Sequence, residues 1–502
     1  MIRKKFAAYL AKRFKNPREF LSYCEKIGKP WKVEGAFETF EEVDVSPYPN
    51  RAGNPVFARF IIEAMEDMQA FCEKVVREEI GMKVPTHQNN CIKNVYWTYL
   101  SSEGGSYTAV NTYHMHPSSY SLGANVPDKS SIENQGAYWR NTVVKKVAGM
   151  PIAVTEYQHC YFNRFMHEAG VLFPAYSAFQ GYNALVAFDS PVAIKPGKLS
   201  FFNIGVNPVF RVNDFLTYFM FYRGDVKKSP HRIDVVFDKN YMDNSPNVGL
   251  ALNDEQSKIS LMTGFAVSFP DGRKLDEVKA VKLQPADMVF APVGASAIEA
   301  DLNFANIGKS VGADFDSSKI VSTLKEKGIL PQDNISDPQK GVFQTDTGEI
   351  TMFAKERILQ VVTPKTEAVV MNASDKSRKL GALTVNSTTV DGVVAVVSID
   401  DKPLAESSRM VLAISTDNVP TNVGLSSTRL KINAWGKAPI LIQTGKFSLE
   451  LKVSEKREFE VWQLKMSGER TAKIPAVQEG GLLKLEIDTS KNVAMYFEIV
   501  AR

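Results

Sequence analysis

From residue 55 to about residue 250 strand-then-helix units follow one another, and this alternation restricts the fold more than any other feature. The unit is a short apolar run followed by a stretch of helical period. Strands that alternate with helices run parallel, because a parallel pair needs a long crossover connection and a helix supplies it. "NPVFARFIIEAMEDMQAFCEKVVREEIG" reads as one long helix closed by Gly81. Four strands are then expected. "KVPTHQNN" ends in Asn89 and Asn90, and the strand from Tyr107 to Tyr113 ends in His114 and His116. "MPIAVTE" stops at Glu156, and "YNALVAFDS" closes at Phe188 and Asp189. "NQGAYWRNTVVKKVAG", "RFMHEAGVLFPAYSAFQG" and "VNDFLTYFMFYRGDV" read as the helices after the second, third and fourth strands. The side chains of chemical interest gather at the C-terminal ends of the strands, where barrels and open parallel sheets build their sites.

The flanking regions differ in character. At the N-terminus Phe6, Tyr9, Leu10 and Phe14 recur at helical spacing, and Asn16-Pro17 opens a second helix carrying Phe20, Leu21 and Cys24. "RIDVVFD", "TGFAVSFPDG" and "ADMVFAPVG" read as strands and "SSKIVSTLKEKGI" as a helix, an α/β connecting region over 236–340. From about residue 341 short alternating strands are broken by Gly, Asp, Asn and Pro, the signature of an all-β sandwich reaching the C-terminus. The expected fold is α/β plus all-β, in three domains: 1–235, 236–340 and 341–502.

Composition narrows the function classes. Apolar residues make up 44% and charged residues 23% of the 502, as in ordinary globular proteins. The net charge of +4 is spread without a long basic block, which argues against nucleic acid as the main partner. No stretch of about 18 apolar residues exists, so no transmembrane segment is expected. Cys24, Cys72, Cys91 and Cys160 share no CxxC spacing and are expected to be buried free thiols. The basic N-terminus lacks the apolar core of a secretory signal, so the sequence assigns no localisation.

Five of the six histidines, His87, His114, His116, His159 and His167, fall between residues 87 and 167. His87, His114, His116 and His159 lie at or just past strand ends and are expected to converge on one face. As metal ligands they would be His87, His114 and His116, but no carboxylate motif accompanies them. The plainer reading is a polar rim around a cleft. Histidine, tyrosine, tryptophan and asparagine with one strand-end glutamate suit sugar recognition, since aromatic faces stack on pyranose rings while amides and imidazoles bond hydroxyls. Trp97 and Trp139 are equally stacking platforms or core, and Trp435 and Trp462 are expected in the core.

The order "KVPTHQNN", "VNTYHMHPSSY", "KKVAGMPIAVTEYQH", "FQGYNALVAFDS" resembles strands five to eight of a clan-A glycoside hydrolase, the cellulase-like (β/α)8 barrels. The resemblance runs through 1–235 and 341–502 and implies a partial (β/α)8 (TIM) barrel, an α/β connecting region and a C-terminal β-sandwich. In that clan the seventh strand ends in the nucleophilic glutamate, which "VTEYQH" matches at Glu156, and the sixth in a His/Tyr element, matched by Tyr113 and His114. Asn89, Asn90, Tyr113, His114, His116, Gln158, His159, Phe188 and Asp189 are the implied substrate-binding residues. The resemblance implies a carbohydrate substrate, no cofactor and no metal; polysaccharide-degrading relatives are usually secreted or periplasmic.

One element of the pattern is missing. Clan-A enzymes carry the general acid/base glutamate in an Asn-Glu pair ending strand four, and no Asn-Glu dipeptide occurs in this sequence. The helices at 3–27 resemble those that follow strand four, so strands one to four and the partner of Glu156 are expected outside this chain. A retaining glycosidase needs two carboxyl groups about 5–5.5 Å apart, and the missing acid is worth roughly 100- to 10,000-fold. Glu103 in "SSEGGSY" is the best local substitute, although a glutamate in a Gly-rich loop is usually solvated. Three outcomes follow: another chain closes the barrel, two copies self-associate, or the sequence is a fragment of a longer gene, which is the favoured outcome. Two functions follow: part of a retaining glycosidase acting on a β-linked glycan with Glu156 as nucleophile, or a catalytically inactive carbohydrate-binding or structural protein derived from one.

Overall fold

A computed structural model of the chain describes residues 2–46, 54–87, 90, 98, 105–143, 145–189, 199–236, 254–269, 290–292 and 317–502. The fold mixes α and β and ends in a β-rich region. The N-terminal helices Ile2–Ala11, Pro17–Lys26 and Pro55–Lys74 close on their own aromatic core of Phe6, Tyr9, Phe20, Trp31, Phe57 and Phe60. Asparagine caps start two of them. Asn16 accepts from Glu19 N, Asn54 accepts from Val56 N and Phe57 N, and each cap is followed by a proline whose missing N–H costs nothing there. The long helix gives way at Lys74 to one π turn, Val75–Glu79, before Gly81.

Three parallel strands follow: β1 (Thr108–His114), β2 (Ile152–His159) and β3 (Ala184–Ala187), in spatial order β1-β2-β3. Helix Ala137–Val143 crosses from β1 to β2, and helix Ala169–Phe179 from β2 to β3. Helix Pro208–Thr217 follows β3. The expected first strand, "KVPTHQNN", is not one among the described residues. Residues 81–87 are irregular, with the carbonyls of Thr86 and Asn90 accepting from Ser106 N (2.7 Å) and Asn111 N (2.9 Å). Pro85 has no N–H for a ladder, and the segment has no alternating apolar face to bury.

The connecting region forms a second parallel sheet of β4 (Ile233–Val236), β5 (Phe265–Ser268) and β6 (Phe290–Pro292), in order β5-β4-β6. β4 straddles the expected boundary at 235/236 and, among the described residues, pairs forward with β5 and β6. The two parallel sheets are stitched together by Val267, which donates to Lys146 O and accepts from Ala148 N, both at 2.8 Å. Gln180 reinforces the seam, donating to Ser260 O and Thr263 O and accepting from Phe265 N.

From Val342 onward a nine-stranded antiparallel sheet and a five-stranded sheet share an apolar core. Their sequences differ because their environments do. Lys446–Lys452 of the smaller sheet alternates buried and exposed, with one face in water. Gly392–Ser398 and Thr366–Met371 of the larger sheet are buried at every position. One face meets the smaller sheet through Val369, Val394, Val396 and Leu412; the other, through Val370, Val393, Ala395 and Ala413, joins the core of the parallel sheet. A strand covered on both faces reads as a continuous apolar run. Helix Ala169–Phe179 lies between the two layers and is buried almost throughout, so it has no polar face. Gly170 lets helix Pro208–Thr217 approach, since a Cβ there would meet Asn213 at 2.4 Å.

Among the described residues no helix is long and apolar enough to cross a membrane. Cys24 and Cys160 are buried free thiols, whereas Cys72 is exposed on the solvent side of its helix, a correction to the expectation. Cys91, Trp97 and Glu103 lie outside the described residues. Trp139 is core, fully buried with its indole N–H on Ser177 Oγ. Trp435 and Trp462 are only half-buried; Trp462 lies under Arg470 and Lys473.

Candidate functional site

The site forms where β1 and β2 end side by side. Their register runs Val110 to Val154 and then Asn111 to Glu156, so β2 holds one extra residue, Thr155. Thr155 and Glu156 are both half-exposed, while Val154 and Tyr157, three residues apart, are both buried. A one-residue slip of this kind re-aims a side chain, and here it leaves Glu156 facing outward beside Tyr113. Thr155 steadies the slip by donating to Asn111 Oδ1 at 2.7 Å.

Tyr113 donates its phenolic hydrogen to Glu156 Oε2, the one hydrogen bond the Glu156 side chain makes among the described residues. Burial, then that bond, pushes the Tyr113 phenol well above its ordinary pKa, so the hydroxyl remains a donor. Rings surround the pair: Phe202 meets Tyr113 at 5.4 Å, His116 at 5.4 Å and Phe188 at 6.1 Å. Phe202 is held there by backbone bonds between the segment it begins and β3's end, Asp189 N to Phe202 O and Ile204 N to Asp189 O, both at 3.0 Å. Gln158 is nearly buried; its amide donates to Phe188 O at 2.9 Å and fixes the position of that ring.

The histidines do not converge. His116 is at the mouth, its Nδ1 2.8 Å from Pro117 O. His114 and His159 are buried on the opposite, helix-covered face of the sheet, stacked at 4.2 Å with rings 5° from parallel and beside Tyr138. They are buried away from Glu156, which corrects the expectation that they converge on its face. The alternation of the strand explains it, since His114 follows Tyr113 and His159 follows Gln158. His114 Nε2 bonds Lys129 O at 2.8 Å, while neither ring nitrogen of His159 has a partner among the described residues. Burial pulls the His114 pKa down to about 4, and burial, then the neighbouring imidazoles, holds His159 well below its ordinary value. His87 packs on Tyr107 at 5.0 Å, and burial lowers its pKa too. His167 is buried elsewhere, lowered to about 4 by burial. Among the described residues no group of three or more histidines, cysteines and carboxylates is arranged to hold a metal ion.

Asn90 lies alongside β1 through its backbone only, and Asn89 lies outside the described residues. Asp189 closes β3, with Oδ1 buried and without a partner among the described residues. Two residues of consequence were not singled out from the sequence. Phe202 comes from a loop with no periodicity to mark it. Glu168, 1% exposed, accepts from Ser130 Oγ, Ser131 N, Ser131 Oγ and Ile132 N at 2.6–3.1 Å and ties the loop after β1 to the helix after β2. Burial outweighs those four bonds and raises its pKa to about 7. The serine pair "SSIEN" ahead of a helix was its only sequence signal.

Compared with known proteins, the chain matches the sequence profile of no protein family, and no curated protein matches it in sequence.

Proposed function

We propose that this chain is part of a retaining glycoside hydrolase acting on a β-linked glycan, with Glu156 as the nucleophile and the acid/base carboxyl supplied from outside this chain. The observation that carries the reading is Glu156 in the C-terminal half of the central parallel strand, three residues before its end, bonded by Tyr113 and rimmed by His116, Phe188 and Phe202. Aromatic walls around a lone carboxylate suit an uncharged ring presenting its anomeric carbon. Tyr113 holds one carboxylate oxygen, leaving the other for attack. On this reading β1, β2 and β3 are the last three strands of a (β/α)8 barrel and residues 341–502 a β-sandwich. The outer strands β1 and β3 would then receive the remaining strands, from a longer polypeptide, a separate chain or a second copy. Exposed Val186, Tyr218 and Tyr222 on the β3 flank and Met68, Phe71 and Ile80 on the other favour such a covering.

The test bypasses the missing acid. A dinitrophenyl 2-deoxy-2-fluoro-β-glycoside has a leaving group that departs as a stable anion and needs no proton. A Glu156 carboxylate oxygen attacks the anomeric carbon, the carbon–oxygen bond to dinitrophenolate breaks with its electron pair, and a glycosyl ester remains. The expected result is one equivalent of dinitrophenolate and a mass increase on the peptide holding Glu156, with neither in Glu156→Gln. Labelling of a different residue, or none across gluco-, galacto-, manno- and xylo-configured reagents, overturns the nucleophile. The second reading, an inactive glycan-binding protein, is favoured by the lack, among the described residues, of a second carboxylate bonded beside Glu156. It predicts oligosaccharide binding that Glu156→Gln leaves intact and no labelling.

A further inference from the structure

The loop after β1 carries an aromatic ring that the Glu156 chemistry does not use. Tyr120 is 68% exposed. Its ring stands edge-on to His116 at 5.8 Å and tilted against Phe202 at 6.0 Å. Phe202 in turn meets Tyr113, which bonds Glu156. A row of rings therefore runs from the carboxylate to the rim, and Tyr120 is its exposed end.

An aromatic ring on a loose loop binds poorly, because fixing it costs conformational entropy. This loop is held. Ser118 and Asn125 close it with Ser118 N to Asn125 O (2.9 Å) and Asn125 N to Ser118 Oγ (2.8 Å). An arm from the β-rich region then pins its far side: Gly123 N donates to Ile432 O at 2.7 Å and Val126 N to Leu430 O at 2.8 Å. Ile432, Ala124 and Val126 are buried there together. The arm's Arg429, paired with Asp417, also donates to Phe162 O at 2.9 Å in the loop after β2. Both loops that frame the mouth are thus fastened to one anchor.

We infer that Tyr120 is a stacking platform for a sugar unit beyond the one at Glu156, held in place by the 424–435 arm, so that the site takes a glycan chain and not a single sugar. This rests on the glycosidase reading of Glu156. The occupant follows from continuity with that cleft and from its chemistry: Tyr113, His116, Tyr120 and Phe202 offer ring faces and hydrogen-bonding edges without a fixed charge, which fits an uncharged pyranose.

The test titrates the full chain, Tyr120→Ala and Tyr120→Phe with β-1,4-linked gluco-, manno- and xylo-oligosaccharides, from disaccharide to pentasaccharide, by calorimetry. For the series that binds, affinity rises with length. Tyr120→Ala weakens the longer members roughly threefold to tenfold and leaves the disaccharide unchanged, while Tyr120→Phe behaves as the parent. An alanine variant that binds every length like the parent overturns the platform, as does a parent that binds the pentasaccharide no tighter than the disaccharide. Glu156 labelling reads the underlying proposal separately: labelling intact with no Tyr120 effect sinks the platform alone, and no labelling with no binding sinks both.

Discussion

The mouth of the parallel sheet and the helix-covered region behind it are built from neighbouring residues of the same two strands, yet they have opposite properties. At the mouth, Tyr113 and Glu156 are half-buried and bonded to each other. Behind the sheet, Tyr157 stacks on Phe173 at 4.1 Å with rings 7° from parallel, and His114 stacks on His159. The same residue types do different work on the two sides. One tyrosine holds a carboxylate and the other fills a core; one glutamate is half-exposed at the mouth while Glu168, twelve positions on, is a buried tie between a loop and a helix. Residue type alone does not assign a role; the face it occupies does.

That contrast can be broken by substitution, and the largest effect is expected in the core. Tyr157→Ala removes a ring packed on Phe173 and should cost about 3–5 kcal/mol in urea unfolding, while Glu156→Gln beside it stays within about 0.5 kcal/mol. Equal losses would erase the distinction between the faces. Glu168→Ala comes next. It strips acceptors from two hydroxyls and two backbone N–H groups and should cost about 2–4 kcal/mol, with Glu168→Gln recovering part of it because an amide oxygen still accepts.

The smallest effect depends on pH. The folded pKa of His159 lies below its unfolded value near 6.5, so the unfolded chain binds the proton more readily. Stability from this group is present above about pH 6.5 and is lost as pH falls toward the folded pKa. His159→Phe, which leaves no side-chain hydrogen bond broken among the described residues, should gain on the parent as pH falls below 6.5, by at most about 1.4 kcal/mol per pH unit. A constant difference across that range would mean the imidazole is not held neutral.

How much of this was legible in the sequence differs by level. The strand-and-helix rhythm of 106–226 was readable because apolar runs and helical spacings are local; β1 and β3 end within two residues of where the sequence suggests, while β2 runs three residues past Glu156 to His159. The change of character near residue 341 was equally local. The orientation of side chains at strand ends was not, because a one-residue slip at Thr155 reverses which neighbours face out, and nothing in "IAVTEYQH" marks it. His159 was misplaced for that reason, and His114 because plain alternation sets it on the face opposite Tyr113. Phe202, Tyr120 and Glu168 reach their positions through contacts between loops far apart in sequence, which no periodicity records.

The nine-stranded sheet belongs to two cores at once. Cutting the chain near residue 340 would bare Phe343, Leu359, Val370, Val393 and Val397 on the side that now meets the parallel sheet, an apolar plane of the kind that drives aggregation. The β-rich region is therefore no detachable cassette. Any attempt to isolate or graft it has to supply a substitute lid for that face.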